Sequence, residues 1–492
     1  PFGASFLSRA RRGPRERARR VSMAAPDITE QIFFFVNPKS GGNKGQDFLK
    51  VPQPFVMQAA TGHTVNLHIF SLIDAAKREE GFTKLKLTAD SVGHRIKVIV
   101  GGGDGTVMWA DSEATKKGID TPRQIDFGIV PLGTGNDFSR VAGWGGKNPS
   151  KILQKDCAVL RNLVNQWAKA KPRPHDVWQV SVDVEEDGGI LKVDGKKEAE
   201  LKEKSISLPM INYFSVGQES KVGLNFDKHR TKSQTCNLFV YACQGVSTEL
   251  KCTSIQHVSE LVSGMYAGVS SEAPAIFGCD EDADEPEIVG NPECLMFLNV
   301  NSYAGGMGHF WSTDAGVGTD PAPNDEDVDV QADPGDGRLE CVTLPNIAGI
   351  ALDQVAHQAR RIHSGGPYYL EFFNPPDGVD ELHAYCEIDG EFYHLVNPSH
   401  CKVVFLKRLQ VLQNIDDADM AEWQKWLSPA VWAPPTKMVS TPTFMDIQRS
   451  IFDAPKMMGS RMTAAMADAV AANQNMVHSV QHMFDKSKPP RA

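Results

Sequence analysis

The chain has 492 residues, of which 41% are hydrophobic and 23% are charged, and its formal net charge is −10. This length exceeds what one ordinary hydrophobic core uses and predicts two or three domains. An acidic chain has no overall positive field, so we expect no nucleic-acid partner and no attraction of the whole surface to an anionic bilayer.

The nine cysteines are scattered along the chain, and none forms a Cys-x-x-Cys pair. This pattern favours reduced thiols in a cytoplasmic protein over a disulfide framework, a zinc site or a redox motif. No hydrophobic run approaches the roughly 18 residues of a membrane-spanning helix. We therefore expect any membrane contact to be peripheral.

Residues 1–30 are predicted to form a basic disordered arm, whose first 20 residues contain seven arginines and one acid, Glu16. The arm has the composition of an organelle transit segment or of a basic patch for anionic phospholipid. The interpretation that we favour is upstream sequence translated ahead of a start at Met23, because the chain begins with Pro1.

Residues 31–172 contain short hydrophobic runs that alternate with helical stretches, which predicts a doubly wound α/β domain with a parallel sheet. The predicted strands are residues 32–36, 65–70, 96–100 and 127–131. Ligands of such sheets bind beyond the carboxyl ends of the strands. We therefore expect the functional residues of this domain to lie in the turns that follow its strands.

Residues 173–412 carry closely spaced predicted strands and turn signals, which indicate a mostly β domain. The strands are predicted at 177–184, 206–216, 295–300, 339–344, 368–373, 383–388 and 402–406. Two acidic, proline-rich stretches, 280–287 and 320–336, are predicted to be solvated loops, as most such charge runs are, and neither has the residue spacing of a calcium-binding loop.

Residues 413–492 are predicted to form a helical tail. Its last segment, from Met458 to Phe484, places methionines and other hydrophobic residues on one face. We expect this face to pack on the body of the protein, and a lipid or partner surface is the alternative.

Two turns after predicted strands have residues that suit a phosphate group. Residues 37–42 read Asn-Pro-Lys-Ser-Gly-Gly, which alone is a weak signal because such residues also mark ordinary turns. Residues 101–106 read Gly-Gly-Gly-Asp-Gly-Thr between a strand and a predicted helix. Here the glycines let the backbone approach an anion closely, and the helix N-terminus adds a positive partial charge.

Asp104 is an unexpected residue in a phosphate-binding turn. A carboxylate repels the phosphate unless it holds a cation or accepts a proton, and both of these roles are catalytic. The alternative is a structural role in which Asp104 caps the helix that follows.

A third turn, residues 131–137, reads Pro-Leu-Gly-Thr-Gly-Asn-Asp and leads into another predicted helix. Three such turns on one parallel sheet would converge on one crevice. The sequence therefore predicts a single nucleotide-binding crevice.

The turns at 102–106 and 131–137 together resemble the catalytic domain of the diacylglycerol kinases, which sphingosine, ceramide and NAD kinases share more loosely. Further motifs narrow the resemblance to the eukaryotic diacylglycerol kinases and their accessory domain. These motifs are Gly-Trp-Gly-Gly at 143–146, Asp-Val-Trp at 176–178, Asn-Tyr-Phe-Ser-Val-Gly at 212–217, Asn-Val-Asn-Ser-Tyr-Ala-Gly-Gly at 299–306, Asp-Gly-Arg-Leu-Glu at 336–340 and Glu-Ile-Asp-Gly-Glu at 387–391. The resemblance covers about residues 31–410, with the motifs in family order.

This resemblance implies a nucleotide-binding α/β domain followed by a β-sandwich domain, with the active site in the cleft between them. It also implies that ATP donates its γ-phosphate to the hydroxyl of diacylglycerol, with Mg²⁺ bridging the phosphates, to give phosphatidic acid and ADP. The implied nucleotide-binding residues are Asn37, Lys39, Ser40, Gly41, Gly42, Gly102, Gly103, Gly105, Thr106, Thr134, Gly135 and Asn136.

The resemblance implies three candidate catalytic acids, Asp104, Asp389 and Glu391. Relatives differ in which acid is the base, so the choice stays open. Asp137 is the candidate substrate residue. Bacterial relatives hold a structural magnesium at a position that matches Asp336, and Asp333 lies near enough to contribute, although an ordinary Asp-Gly turn is the alternative.

One departure from the family concerns membrane recruitment. Most animal relatives carry Cys/His-rich zinc modules ahead of the catalytic domain, whereas the roughly 30 residues before the first predicted strand contain no cysteine. We expect peripheral contact with the membrane that holds diacylglycerol, through another part of the chain, as in plant relatives of this compact type.

Other functions remain open. A kinase for another lipid alcohol, a sphingoid base or ceramide, would share the phosphate-binding turns, although residues 136–137 and 143–146 favour diacylglycerol. NAD kinase would need a further set of polar contacts to ribose and adenine, and no second motif set of this kind is found. A non-catalytic lipid-binding scaffold is the alternative from a different class, and the intact acids beside the glycine turns argue against it.

Overall fold

The computed structural model describes residues 29–194, 196–228, 255–278, 286–306, 310–311, 319–320, 332–347 and 359–414. The predicted basic arm up to residue 28, the tail after residue 414 and most of both acidic stretches lie outside these residues. Among the described residues, no helix is long and hydrophobic enough to cross a membrane.

The first region of the chain forms a mainly parallel sheet. Its strands are β1 (Thr29–Val36), β2 (Phe55–Gln58), β3 (Thr64–Ser71), β4 (Ile96–Gly102) and β5 (Ile125–Pro131). Four of them are parallel in the order β3-β1-β4-β5, and β2 pairs antiparallel with β3. The four strands predicted in this region and their parallel arrangement are confirmed, whereas β2 was not predicted.

Helices cover both faces of this sheet. They are α1 (Ser40–Asn43), α2 (Gln46–Leu49), α3 (Ala75–Ser91), α4 (Gly105–Lys116), α5 (Thr121–Gln124), α6 (Asp137–Val141) and α7 (Ala158–Lys169). On one face, Phe35 stacks on Phe82 of α3 with ring centroids 4.1 Å apart. On the other face, Phe34 packs against Phe48 and Trp167. Because both faces are covered, β1 reads as a continuous hydrophobic run.

The strand order changes direction in the middle of the parallel sheet. The chain leaves β1 for β3 on one side, and it then crosses to β4 and β5 on the other side. The switch therefore lies between β1 and β4, the position at which ligands of open α/β sheets bind.

Two long strands join the first sheet to the β-rich region. In an antiparallel ladder, β6 (Lys171–Asp194) pairs with β19 (Glu391–Gln413), and the end of β19 also pairs in parallel with β5. One connected sheet therefore runs through both regions. The predicted boundary at residues 172–173 falls within β6, and the division into two domains with a β-sandwich stays a prediction.

The β-rich region contains every strand that was predicted for it. The remaining elements are β7 (Lys197–Glu200), β8 (Ser205–Met210), β9 (Tyr213–Gly217), α8 (Gln218–Lys228), a 3₁₀ turn (Val258–Glu260), β10 (Val262–Tyr266), β11 (Ala275–Gly278), β12 (Glu287–Ile288), β13 (Cys294–Leu298), β14 (Thr319–Asp320), β15 (Leu339–Leu344), β16 (Arg360–Gly365), β17 (Tyr368–Phe372) and β18 (His383–Ile388). The predicted strand 206–216 is two strands, β8 and β9, separated by a bend at Ile211 and Asn212. This bend positions part of the candidate site.

Candidate active site

The three turns that were predicted to bind phosphate lie side by side at the carboxyl ends of β1, β4 and β5. The backbone N–H of Asn37 donates to the carbonyl of Gly101 at 2.8 Å, and that of Leu132 donates to Gly102 at 2.9 Å. A Cβ atom on Gly133 would lie 2.8 Å from the Cα of Gly103, so the second and third turns are in direct contact. The expected convergence of the turns is therefore observed.

The turn after β1 requires glycine at two positions. Gly41 and Gly42 have φ values of +64° and +66°, in the left-handed region that side chains rarely adopt. The backbone N–H of Lys39 donates to Oδ1 of Asn37 at 3.0 Å, which fixes the start of the turn. Lys39 is exposed, and Ser40 is half-buried.

The turn after β4 is packed on one side and open on the other. A Cβ atom on Gly102 would lie 2.2 Å from Oγ1 of Thr106, which leaves no space for a side chain. At Gly105, by contrast, a Cβ atom would meet no described atom within 4 Å. The open side lies at the first residue of α4, where the helix N-terminus favours an anion.

Asp104 occupies the N-cap position of α4, but its side chain makes no capping hydrogen bond to this helix. Its Oδ2 instead accepts three hydrogen bonds, from the backbone N–H groups of Asp137 (3.0 Å) and Phe138 (3.4 Å) and from Nδ2 of Asn212 (3.0 Å). Oδ1 of Asp104 is buried and has no hydrogen-bond partner within the described part of the chain.

The surroundings of Asp104 favour its protonated form. Burial, followed by the charges of Asp137 and Asp389, raises the pKa of Asp104 to about 8, against the opposing effect of the two backbone donors. A carboxyl group with this pKa exchanges a proton readily near neutral pH.

Asp137 is buried at the first residue of α6 and links the two regions. Its carboxylate accepts hydrogen bonds from Oγ of Ser302 (2.6 Å), from the hydroxyl of Tyr213 (3.2 Å) and from the backbone N–H groups of Gly305 (2.9 Å) and Gly306 (3.1 Å). Both oxygens thus have protein donors. The assignment of Asp137 as a substrate residue stays a prediction.

Asn136 shapes the third turn. It is 2% exposed and has a φ of +57°. Its Oδ1 accepts from the backbone N–H of Gly133 at 2.8 Å, and its Nδ2 donates to the carbonyls of Gly133 and Gly146 at 3.1 and 3.0 Å. Thr134 and Gly135, between these anchors, are half-buried.

Asp389 lies in the turn between β18 and β19 and holds the bend between β8 and β9. Its Oδ1 accepts from the backbone N–H groups of Asn212 (2.8 Å) and Tyr213 (3.1 Å), and its Oδ2 accepts from that of Ile211 (2.7 Å). Burial raises the pKa of Asp389 to about 6, although these three bonds oppose the shift. Both of its oxygens are therefore engaged by backbone.

Glu391 is near Asp389 in sequence but has different partners. Its side chain is 54% exposed, it pairs with Nζ of Lys192 at 2.7 Å, and it accepts from the hydroxyl of Tyr393 at 2.9 Å. None of its described hydrogen bonds reaches Asp104 or Asp389. Its participation in the same cleft stays a prediction.

Asp333 and Asp336 lie in a separate turn beside the buried Asp176. Oδ1 of Asp333 accepts from the backbone N–H of Gly335, and Oδ1 of Asp336 accepts from that of Arg338, both at 2.8 Å. Burial, with the charges of Asp333 and Asp176, raises the pKa of Asp336 to about 6. The described residues contain no group of three or more His, Cys, Asp or Glu side chains that could hold a metal ion. Magnesium binding by Asp333 and Asp336 stays a prediction.

The sequence did not identify Asn212 as a site residue, although it lies in one of the motifs. Asn212 contacts Asp104 across 108 positions of sequence. The carbonyl of the preceding Ile211 accepts from Nε2 of His175 and from Nδ2 of Asn299, both at 2.8 Å. These contacts depend on pairing between distant strands, which no local pattern predicts.

Two family models match the chain. The model for the diacylglycerol kinase catalytic domain matches residues 31–171, and the model for the diacylglycerol kinase accessory domain matches residues 209–392. The two matched segments contain the three glycine turns, Asn212 and the acids Asp104 and Asp389.

Curated relatives of the chain carry related names. Diacylglycerol kinase zeta of Rattus norvegicus is 28% identical over 326 residues, which cover 62% of this chain and 29% of the relative. Diacylglycerol kinase 2 of Arabidopsis thaliana is 26% identical over 356 residues, which cover 71% of this chain and 43% of the relative. Diacylglycerol kinase 1 of Oryza sativa subsp. japonica is 25% identical over 397 residues, which cover 73% of this chain and 74% of the relative.

The chain spans less than a third of the animal relatives that it matches, at 29%, 26% and 17% of their lengths. A crystal structure of a diacylglycerol kinase from Bacillus anthracis str. Sterne is similar with a TM-score of 0.39 and 16% sequence identity. That similarity covers 79% of this chain and 98% of the bacterial chain.

Proposed function

Because this chain carries the catalytic and accessory domains of the diacylglycerol kinases, and so belongs to that family, we propose that it transfers the γ-phosphate of ATP to the hydroxyl of diacylglycerol. The products are phosphatidic acid and ADP. The observation that carries the proposal is the buried Oδ1 of Asp104, which lies among the glycine turns and has no partner within the described residues.

The phosphates of ATP bind to the turns at 37–42, 102–106 and 134–136. Support comes from the contact between these turns at the switch point of the sheet and from the open space beside Gly105. Backbone N–H groups and the N-terminus of α4 provide the positive partial charge that phosphate requires.

Asp104 is the base in this proposal. Both oxygens of Asp389 already accept backbone hydrogen bonds, and Glu391 is half-exposed and paired with Lys192. Asp104 has one oxygen available. As the lipid oxygen bonds to the γ-phosphorus, its proton passes to Oδ1 of Asp104 and the bond between the γ-phosphorus and the oxygen of ADP breaks.

Magnesium is the proposed cofactor. Bound Mg²⁺ would neutralise charge on the β- and γ-phosphates. Asp333 with Asp336 offers a separate, structural position for this ion.

The proposed architecture is a nucleotide-binding α/β domain and a β-sandwich domain, with the active site in the cleft between them and a helical tail beyond. Contacts of Asp104 with Asn212 and of Asp137 with Ser302 support this arrangement, since each joins residues of the two regions next to the glycine turns. The protein is proposed to be cytoplasmic and to touch the membrane peripherally, where diacylglycerol lies.

A competition assay tests the proposed function. Purified protein is incubated with labelled ATP, Mg²⁺ and mixed micelles that offer diacylglycerol, ceramide and sphingosine together, with NAD tested in parallel. We expect phosphatidic acid as the dominant labelled product. Preferential labelling of ceramide, sphingosine or NAD would overturn the choice of substrate, and labelling of none of them would favour a scaffold.

A further inference from the structure

Asn212 is a buried residue whose side chain makes one described hydrogen bond, to Asp104. The residue is 1% exposed, its Nδ2 donates to Oδ2 of Asp104 at 3.0 Å, and its own Oδ1 is buried with no partner among the described residues. A buried amide oxygen without a donor destabilises the fold. An apolar side chain would avoid this cost, so stability alone does not account for the amide.

The backbone of Asn212 is fixed on both sides. Its N–H donates to Oδ1 of Asp389 at 2.8 Å, and its carbonyl accepts from the backbone N–H of Asn299 at 2.8 Å. The β-rich region therefore holds the amide at a set position, and the amide reaches across to the turn after β4. Asp389 thus helps to fix the residue whose amide contacts Asp104.

The contact determines which oxygen of Asp104 remains available. Oδ2 receives the amide of Asn212 and two backbone N–H groups, so its lone pairs are engaged, whereas Oδ1 has no described partner. A donor on Oδ2 stabilises the ionised carboxylate, which is the form that accepts a proton.

We propose that Asn212 is a positioning residue for phosphate transfer, which holds the Asp104 carboxylate so that its Oδ1 faces the acceptor hydroxyl. This inference rests on the proposed function. It adds a residue from the β-rich region to the machinery, so that the base is oriented only when the two regions are in contact.

Asn212→Ala and Asn212→Leu test this role; the first avoids crowding and the second fills the volume without a donor. We expect kcat to fall about 10–100-fold with the KM for ATP within a few-fold, because the ground-state contacts of ATP are unchanged. The rising limb of kcat/KM against pH should move up by about one pH unit, because the carboxylate loses a donor. The other charged or titratable groups that face Asp104 are Asp137, Asp389 and Tyr213. Both substitutions leave these groups unaltered.

Asn299→Ala is the matched control, since it removes a buried amide whose partners are the carbonyls of Asp176 and Ile211 and the side chains of His175 and Trp178, and not Asp104. This variant should lower Tm without shifting the rising limb of kcat/KM against pH. A uniform loss of kcat in the Asn212 variants with an unmoved limb, or no loss of kcat, would overturn the positioning role.

A second readout separates this inference from the proposed function. The difference in Tm between Asp104→Asn and its parent, followed across pH, reports the ionisation of Asp104 without any activity. In the Asn212→Ala background, the midpoint of this difference should move to higher pH. If the parent protein does not phosphorylate diacylglycerol, the proposed function fails, while an upward midpoint still supports the contact and an unmoved midpoint contradicts it.

Discussion

The hydroxyl of Ser302 donates a 2.6 Å hydrogen bond to the carboxylate of Asp137, which ties the start of α6 to the β-rich region. The same carboxylate accepts from Tyr213, Gly305 and Gly306. The side chain of Asp137, next to the third glycine turn, thus accepts hydrogen bonds from two distant segments, at Tyr213 and at residues 302–306. Its geometry makes Asp137 a structural joint as well as a neighbour of Asp104.

Asp137→Asn should destabilise the protein by about 1–3 kcal/mol, because an amide N–H₂ would replace an oxygen that accepts buried hydrogen bonds. Urea or thermal unfolding measures the loss. Ser302→Ala removes one donor only and should cost less. Equal stability of Asp137→Asn and the parent would show that these bonds do not hold the regions together.

Asp389→Asn and Glu391→Gln should behave differently. Asp389→Asn replaces one of the two acceptor oxygens with an N–H₂ group, which leaves at least one of the three backbone N–H groups without its acceptor, so we expect a clear drop in Tm together with lower kcat. Glu391→Gln alters a half-exposed ion pair and should change stability by less than about 1 kcal/mol and activity by a few-fold. A folded Glu391→Gln protein without activity would instead make Glu391 the base.

Gly133→Ala should disturb two glycine turns at once, because its Cβ would lie 2.8 Å from the Cα of Gly103 and from Oδ1 of Asn136. We expect lower Tm and weaker ATP binding, measured by thermal unfolding and by calorimetric titration. Gly93→Ala is the matched control, since its Cβ would meet no described atom within 4 Å. If the two variants bind ATP equally well, close contact of the turns is not needed for the nucleotide.

The pH dependence of kcat/KM should report Asp104. With the pKa raised to about 8, Asp104 is mostly protonated at lower pH and cannot take a proton. We therefore expect kcat/KM to rise about tenfold per pH unit below that value and to level off above it. A profile that is flat between pH 6 and about 9 contradicts Asp104 as the base.

The raised pKa of Asp104 should also make the stability of the folded protein depend on pH. Its folded-state pKa lies above the ordinary value of 3.8, so the folded protein binds the proton more tightly than the unfolded chain, and the stabilisation is lost as pH rises from about 4 to about 8. Asp104→Asn removes this effect. Its Tm relative to the parent should increase across that window, and a pH-independent difference would contradict the shifted pKa.

The local features of the molecule could be predicted from the sequence, and the contacts between its regions could not. Hydrophobic runs such as Phe33 to Phe35 and the glycines after β4 determine local backbone, so the parallel strands and the turns that meet at their ends were predicted correctly. The bend at Ile211 and Asn212 interrupts a hydrophobic run that reads as one strand. It exists because Asp389, far along the chain, accepts the N–H groups of the bend. Long-range pairing of this kind leaves no periodic pattern.

The role of Asp104 as the base is tested by comparing the parent protein with Asp104→Asn for phosphatidic acid formation from ATP and diacylglycerol in mixed micelles. The amide oxygen of asparagine can accept the three hydrogen bonds that Oδ2 of Asp104 accepts, but the amide cannot take the proton of the lipid hydroxyl. We predict that turnover falls by about 10²–10⁴-fold while Tm is not reduced and ATP affinity changes little. Turnover within a few-fold of the parent would contradict it.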